Sequence, residues 1–74
     1  MIALTFLEGG RRFPRYVNPA HVAMLAPGTP VVLDIDDSPV NVPTTILWFA
    51  NTSASVIVQG TFHVVAARLR GEET

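Results

Sequence analysis

The sequence predicts an all-β, or β-rich α+β, fold: a small barrel-like or sandwich domain of six to seven short antiparallel strands with at most one short helix. Three observations predict it. Short runs rich in Val, Ile, Phe and Thr are separated by Gly, Pro, Asn and Asp clusters, at the spacing of roughly 8–12 residues that marks all-β domains. Between Asp37 and Arg68 no Asp, Glu, Lys or Arg occurs, while Trp48, Phe49, Phe62 and many valines and isoleucines do. The chain of 74 residues is 49% hydrophobic and only 15% charged, against about a quarter charged in an ordinary globular domain.

Ile2, Leu4 and Phe6 alternate with Ala3, Thr5 and Leu7, which predicts a strand buried on both faces. Glu8-Gly9-Gly10-Arg11 turns the chain, the glycines supplying positive φ. A second strand follows over 12–17, and Pro14 within it marks an edge or a bulge. Asn18 can cap and Pro19 can open a single helical turn over Pro19–His21. A third strand runs over 22–25, followed by a loop at Pro27-Gly28-Thr29-Pro30. Val31, Leu33 and Ile35 share one face of a fourth strand. Asp36-Asp37-Ser38-Pro39 turns into a fifth strand over 40–42, completing a hairpin that Pro43 ends.

Residues 44–50 suit either a short helix capped by Thr44 or Thr45, or a strand. Thr, Ile, Trp and Phe favour the strand, and a hairpin with 56–59 is the expectation. Gly60-Thr61 then turns, and 62–69 reads as a last long strand, with 66–69 as a possible final helical turn. No linker or repeat divides the chain, so 1–70 forms one domain and 71–74 a flexible tail.

Composition narrows the function. Small domains need support from disulfides, metal or association. There is no cysteine, and the two histidines lie far apart, so no disulfide, metal or other cofactor is expected. Association remains, and a homo-oligomer is expected. The net charge of −1 argues against general nucleic-acid binding, which would need a basic face. No apolar run reaches the roughly 18 residues needed to cross a membrane. The start, Met1-Ile2-Ala3-Leu4, lacks the basic region of a signal peptide. A cytoplasmic chain without membrane contact is expected.

Met1-Ile2-Ala3-Leu4-Thr5, Gly9 or Gly10, Val17-Asn18-Pro19-Ala20-His21-Val22, and the hairpin of Val31-Val32-Leu33 with Val40-Asn41-Val42 resemble the small FlbD-type flagellar proteins and similar phage or prophage reading frames. The resemblance covers residues 1–42. It implies a short β-domain that acts by protein contact rather than catalysis, and it carries over no site residue.

Three groups of side chains are candidates for function. Arg11, Arg12, Arg15 and Tyr16 lie beside Gly9-Gly10. Arginine forks pair with phosphate, exposed backbone N–H groups can form an anion nest, and an aromatic ring can stack on a base. These residues could hold a nucleotide or another anionic small molecule. The alternative is a solvated turn. Asp34, Asp36 and Asp37 lack the glycine and glutamate of a calcium loop, since Pro39 and Thr45 stand there; they read as a solvated hairpin tip that could pair with the arginines, within or between copies. His21 and His63 have no nucleophile motif such as G-x-S-x-G near them, so no catalytic residue is assigned and no enzyme is expected.

The charge-free segment offers Ile46, Trp48, Phe49, Val56, Val58, Phe62, His63 and Val65 as an assembly surface, with Trp48 as anchor. At such an interface, protonation of His63 near pH 6 would weaken assembly, and a particle size unchanged between pH 8 and pH 5.5 would refute that role. The leading expectation is a non-enzymatic binding or inhibitor module, phage- or prophage-encoded, acting as a homo-oligomer through a protein partner. A ligand-sequestering protein and a structural subunit of a phage particle or flagellar apparatus are the alternatives.

Overall fold

A computed structural model describes residues 1–71. Seven strands, one 3₁₀ turn and one helix follow in the order β1 (Ile2–Glu8), β2 (Arg11–Val17), the turn η1 (Pro19–His21), β3 (Val22–Pro27), β4 (Val31–Ile35), β5 (Ser38–Val42), β6 (Thr44–Phe49), β7 (Ser55–Gln59) and α1 (Phe62–Leu69). Five strands form an antiparallel sheet in the order β2-β1-β7-β6-β3, and β4 and β5 form a separate two-stranded ribbon. The expected flexible tail falls mostly on residues 72–74, outside the described residues.

The sheet must curl. Its edges, β2 and β3, would lie about 19 Å apart if flat, at roughly 4.8 Å per strand. Yet only residues 18–21, mostly in η1, join Val17 on one edge to Val22 on the other. A tight turn and two extended steps span roughly 13 Å, so the edges are drawn toward each other. They do not pair, so the barrel-like sheet stays open along a seam between β2 and β3.

The register sorts side chains onto two faces. Leu25, Leu47 and Val56 line up across three strands on the concave face, and Pro27, Thr45, Val58, Phe6 and Phe13 form the next row. Leu4, Val17, Leu47 and Val58 are buried there together with Val65 of α1. The convex face carries Ala26, Ile46, Ile57, Leu7 and Arg12 in one row, with Met24 and Trp48 in the neighbouring row. After β3 the chain folds back over this convex face. Gly28 donates its N–H to the Thr44 carbonyl at 3.0 Å, and Thr44 donates its hydroxyl to the Thr29 carbonyl at 2.8 Å. The ribbon follows and buries Leu33 and Val42.

Residues 62–69 are a helix, not the expected last strand. Thr61 caps it, its hydroxyl accepting the Val64 N–H at 3.4 Å. Gly60, at φ 125°, breaks the extended path out of β7. Phe62, Val65, Ala66 and Leu69 then fall on one stripe at helical spacing. Of these, Val65 and Ala66 are buried, and Leu69 packs against the core. Two smaller differences also appear. The third strand continues to Pro27, which pairs with Thr45. The turn between β4 and β5 tightens to two residues, Asp36 and Asp37, both at positive φ. The ambiguous segment is strand β6, as expected.

Candidate functional site

The four residues proposed for an anion all lie on β2, and the pleat divides them. Arg11 and Arg15 oppose Glu8 and Leu4 on the concave side, while Arg12 and Tyr16 oppose Leu7 and Ala3 on the convex side. They therefore do not form one cluster. Nor do the glycines form a nest. Gly9 and Gly10 have φ of 59° and 77°, and two successive left-handed residues close a two-residue hairpin turn instead of the αR–αL pair that gathers N–H groups around an anion.

Arg15 and Tyr16 nevertheless share a groove. It holds about 380 Å³ at the η1 end of the open seam and is lined by Met1, Phe6, Val17, Asn18, His21, Phe49, Asn51 and Thr52 besides those two. The Arg15 guanidinium carbon lies 5.9 Å from the centre of the Phe6 ring, within reach of a cation–π contact. Asn18 caps η1 by accepting the Ala20 N–H at 3.0 Å, and the Ala50 N–H donates to the His21 carbonyl at 2.8 Å. The second bond ties η1 to the loop between β6 and β7, so both walls of the groove are fixed from one place. Arg11 and Arg12 lie outside it.

A second groove, of about 280 Å³, separates the ribbon from the β1–β2 turn. Leu7, Glu8, Gly9, Gly10 and Ile57 line one side, and Val31, Val32 and Leu33 the other. Asp34, Asp36 and Asp37 are all exposed along and beyond the far end of β4. Among the described residues no cluster of His, Cys, Asp or Glu could hold a metal ion, and none of Arg11, Arg12 and Arg15 forms an ion pair.

The expected assembly residues are scattered. Val58 and Val65, at 0% and 1% exposure, are enclosed by the domain's own core and have no surface to offer a partner. Phe49 and Val56 pack against that core. Ile46 and Trp48 are half-buried on the convex face. Phe62 opens α1, with the exposed His63 edge-on to its ring at 5.8 Å. A run that looks continuous in sequence thus alternates between core and surface, because strand neighbours point to opposite faces.

Pro14 marks an edge in the sequence, but the state of the other strand edges shows only in the structure. A two-residue turn makes the pairs flanking it hydrogen-bonded, and pairs then alternate along the hairpin. On β2 the outward-facing backbone therefore belongs to Arg12, Pro14 and Tyr16. Pro14 sacrifices no ladder bond and removes the donor at the middle of these three outward positions. On β5 the outward residues are Pro39 and Asn41, and Pro39 does the same there. The β3 edge is broken by a register shift between Val22 and Met24 and ends at Pro27. Only β4 has neither device. Its outward backbone groups are those of Val32 and Asp34, and Val32 is 62% exposed. No helix among the described residues is long and apolar enough to cross a membrane. No family model, curated protein or solved structure matches this chain.

Proposed function

We propose that this protein is a non-enzymatic contact module that works as a homo-oligomer, built from pairs of chains joined edge to edge through β4. The observation that carries the reading is the unprotected β4 edge on a ribbon only two strands wide. Such ribbons are marginal alone and gain from further strands. The pairing suits a second copy. In an antiparallel two-fold arrangement centred on Leu33, Val32 of one chain faces Asp34 of the other. Both have outward N–H and C=O groups, so the two pairs exchange four hydrogen bonds.

Charge supports the same arrangement. Antiparallel pairing sends each acidic tip past the Val31 end of the other chain's β4. That is the end that shares a groove with the β1–β2 turn, which Glu8 lines, and next to the turn Arg11 and Arg12 stand with no ion pair among the described residues. The two tips, which carry Asp36 and Asp37, are kept at opposite ends. A ladder of four strands then leaves the convex face, with Met24 at 53% and Ile57 at 41% exposure, available to a protein partner. The likeness of residues 1–42 to FlbD-type proteins implies the same kind of role, by contact and without catalysis.

Native mass spectrometry tests the reading. The chain is expected to give a dimer or an even-numbered assembly, and Val32→Lys a monomer with an unchanged circular dichroism spectrum. Lysine on an outward edge position is a common natural block to pairing. A wild-type chain that stays monomeric at about 50 µM, a concentration well above a micromolar Kd, would refute it.

A further inference from the structure

We propose that the seam groove binds a small planar anion: an aromatic or heterocyclic ring bearing phosphate, the chemistry of a nucleoside monophosphate. The inference does not depend on self-association. The groove's volume, about 380 Å³, falls within the usual range for small-ligand sites, roughly 300–1,000 Å³. Its apolar lining is Met1, Phe6, Tyr16, Val17 and Phe49. Phe6 and Phe49 also pack against the core and Arg15 lies over Phe6, so Tyr16 is the ring with a face left for stacking on a flat ligand. Tyr16 is 78% exposed, so its ring has room to swing over a bound one.

The polar groups are biased toward donation. Asn18 already accepts the Ala20 N–H through Oδ1, and Thr52 accepts the Ala54 N–H through Oγ1. Each bond uses one of the oxygen's two acceptor sites and leaves every donor uncommitted: the Asn18 amide N–H pair and the Thr52 hydroxyl hydrogen. Arg15 adds a guanidinium with five N–H donors and no carboxylate partner among the described residues. Asn51 and His21 complete the polar rim, and no Asp or Glu lines the groove. A site with surplus donors, a permanent cation, aromatic walls and no acid discriminates for an anion with a flat body. A free sugar would leave the rings unused, and a cation would meet Arg15.

The groove is also built before any ligand arrives. The Asn18 cap fixes η1, and the Ala50-to-His21 bond holds the β6–β7 loop against it. Binding therefore need not order a loop, which is a main cost of association.

Isothermal titration calorimetry with AMP, GMP, CMP and UMP, alongside adenosine and inorganic phosphate, tests the proposal. At least one nucleotide is expected to bind at least tenfold more tightly than adenosine or phosphate alone. Arg15→Gln should weaken that nucleotide about tenfold or more, the scale of a lost charge-assisted hydrogen bond. Tyr16→Ala should weaken it severalfold, while Arg12→Gln, outside the groove, should leave it unchanged. Circular dichroism of each variant separates lost binding from lost fold. Absence of binding by all four nucleotides at millimolar concentration would overturn the proposal. So would equal binding of phosphate and nucleotide, or a loss in Arg12→Gln that Arg15→Gln does not share.

Discussion

Thr45 is fully buried, and its hydroxyl donates to the Gly60 carbonyl at 3.0 Å. Gly60 in turn donates its N–H to the Pro43 carbonyl at 2.9 Å. One side chain thus fastens the corner where β7 gives way to α1. Thr45→Val keeps the volume and removes the bond, so it should cost about 1 kcal/mol, or about 4–8 °C of melting temperature for a domain this size. A calorimetric melt unchanged within a degree would show that the bond is dispensable. Asp37 supplies the opposite case. It holds φ 62° at the ribbon turn, a region where glycine avoids a steric cost of about 1 kcal/mol. Asp37→Gly should raise the melting temperature, and the comparison belongs in the Val32→Lys background, where loss of an acidic contact between copies cannot confuse it. A lower melting temperature there would contradict the turn geometry.

At the scale of elements, α1 depends on a few local signals. Thr61→Ala removes the cap and should cost about 1 kcal/mol, read as a lower melting midpoint with reduced helical ellipticity; an unchanged midpoint would mean that packing alone sets the helix start. This element also marks the limit of what the sequence discloses. The β1–β2 and β4–β5 hairpins were legible because their turns carry glycine or aspartate, β6–β7 because Asn51, Thr52 and Ser53 interrupt two β-prone runs, and η1 because Asn18 and Pro19 stand together. The helix was not, because Val64 and Val65 are β-branched and apolar residues occur on every side of it. Val64 is 53% exposed, which spoils the polar face by which a surface helix is recognised. The discriminating signal was Thr61 followed by Phe62, Val65, Ala66 and Leu69. For the seam groove, Arg15 and Tyr16 stood out in the sequence. His21 and Phe49 stood out for other roles and Phe6 and Asn51 for none, since residues from β1, η1 and the end of β6 meet Arg15 and Tyr16 only in the fold. The charge-free segment misled for a related reason: its length suggested a surface, but the pleat turns half of it inward.

At the scale of the molecule, the domain has a concave core closed by α1 and a convex face partly covered by a ribbon. Its radius of gyration is 12.3 Å, against about 11 Å for a compact chain of this length. The excess fits a ribbon that stands partly clear of the sheet, with Val32 and Val40 exposed. The proposed association through that ribbon would give the support that a small domain without disulfides needs. Because its flanking charge contacts are exposed, raising the salt from 50 to 500 mM should weaken the dimer severalfold, measured by sedimentation; a dimer indifferent to salt would remove the arginine–aspartate contacts from the account. The central claim is the β4–β4 ladder, and amide hydrogen exchange at Val32 and Asp34, followed by NMR across a dilution series, tests it most directly. The account predicts both amides protected at high concentration, with protection lost together on dilution and absent for Asp34 in Val32→Lys. Free exchange at both positions at every concentration would contradict it.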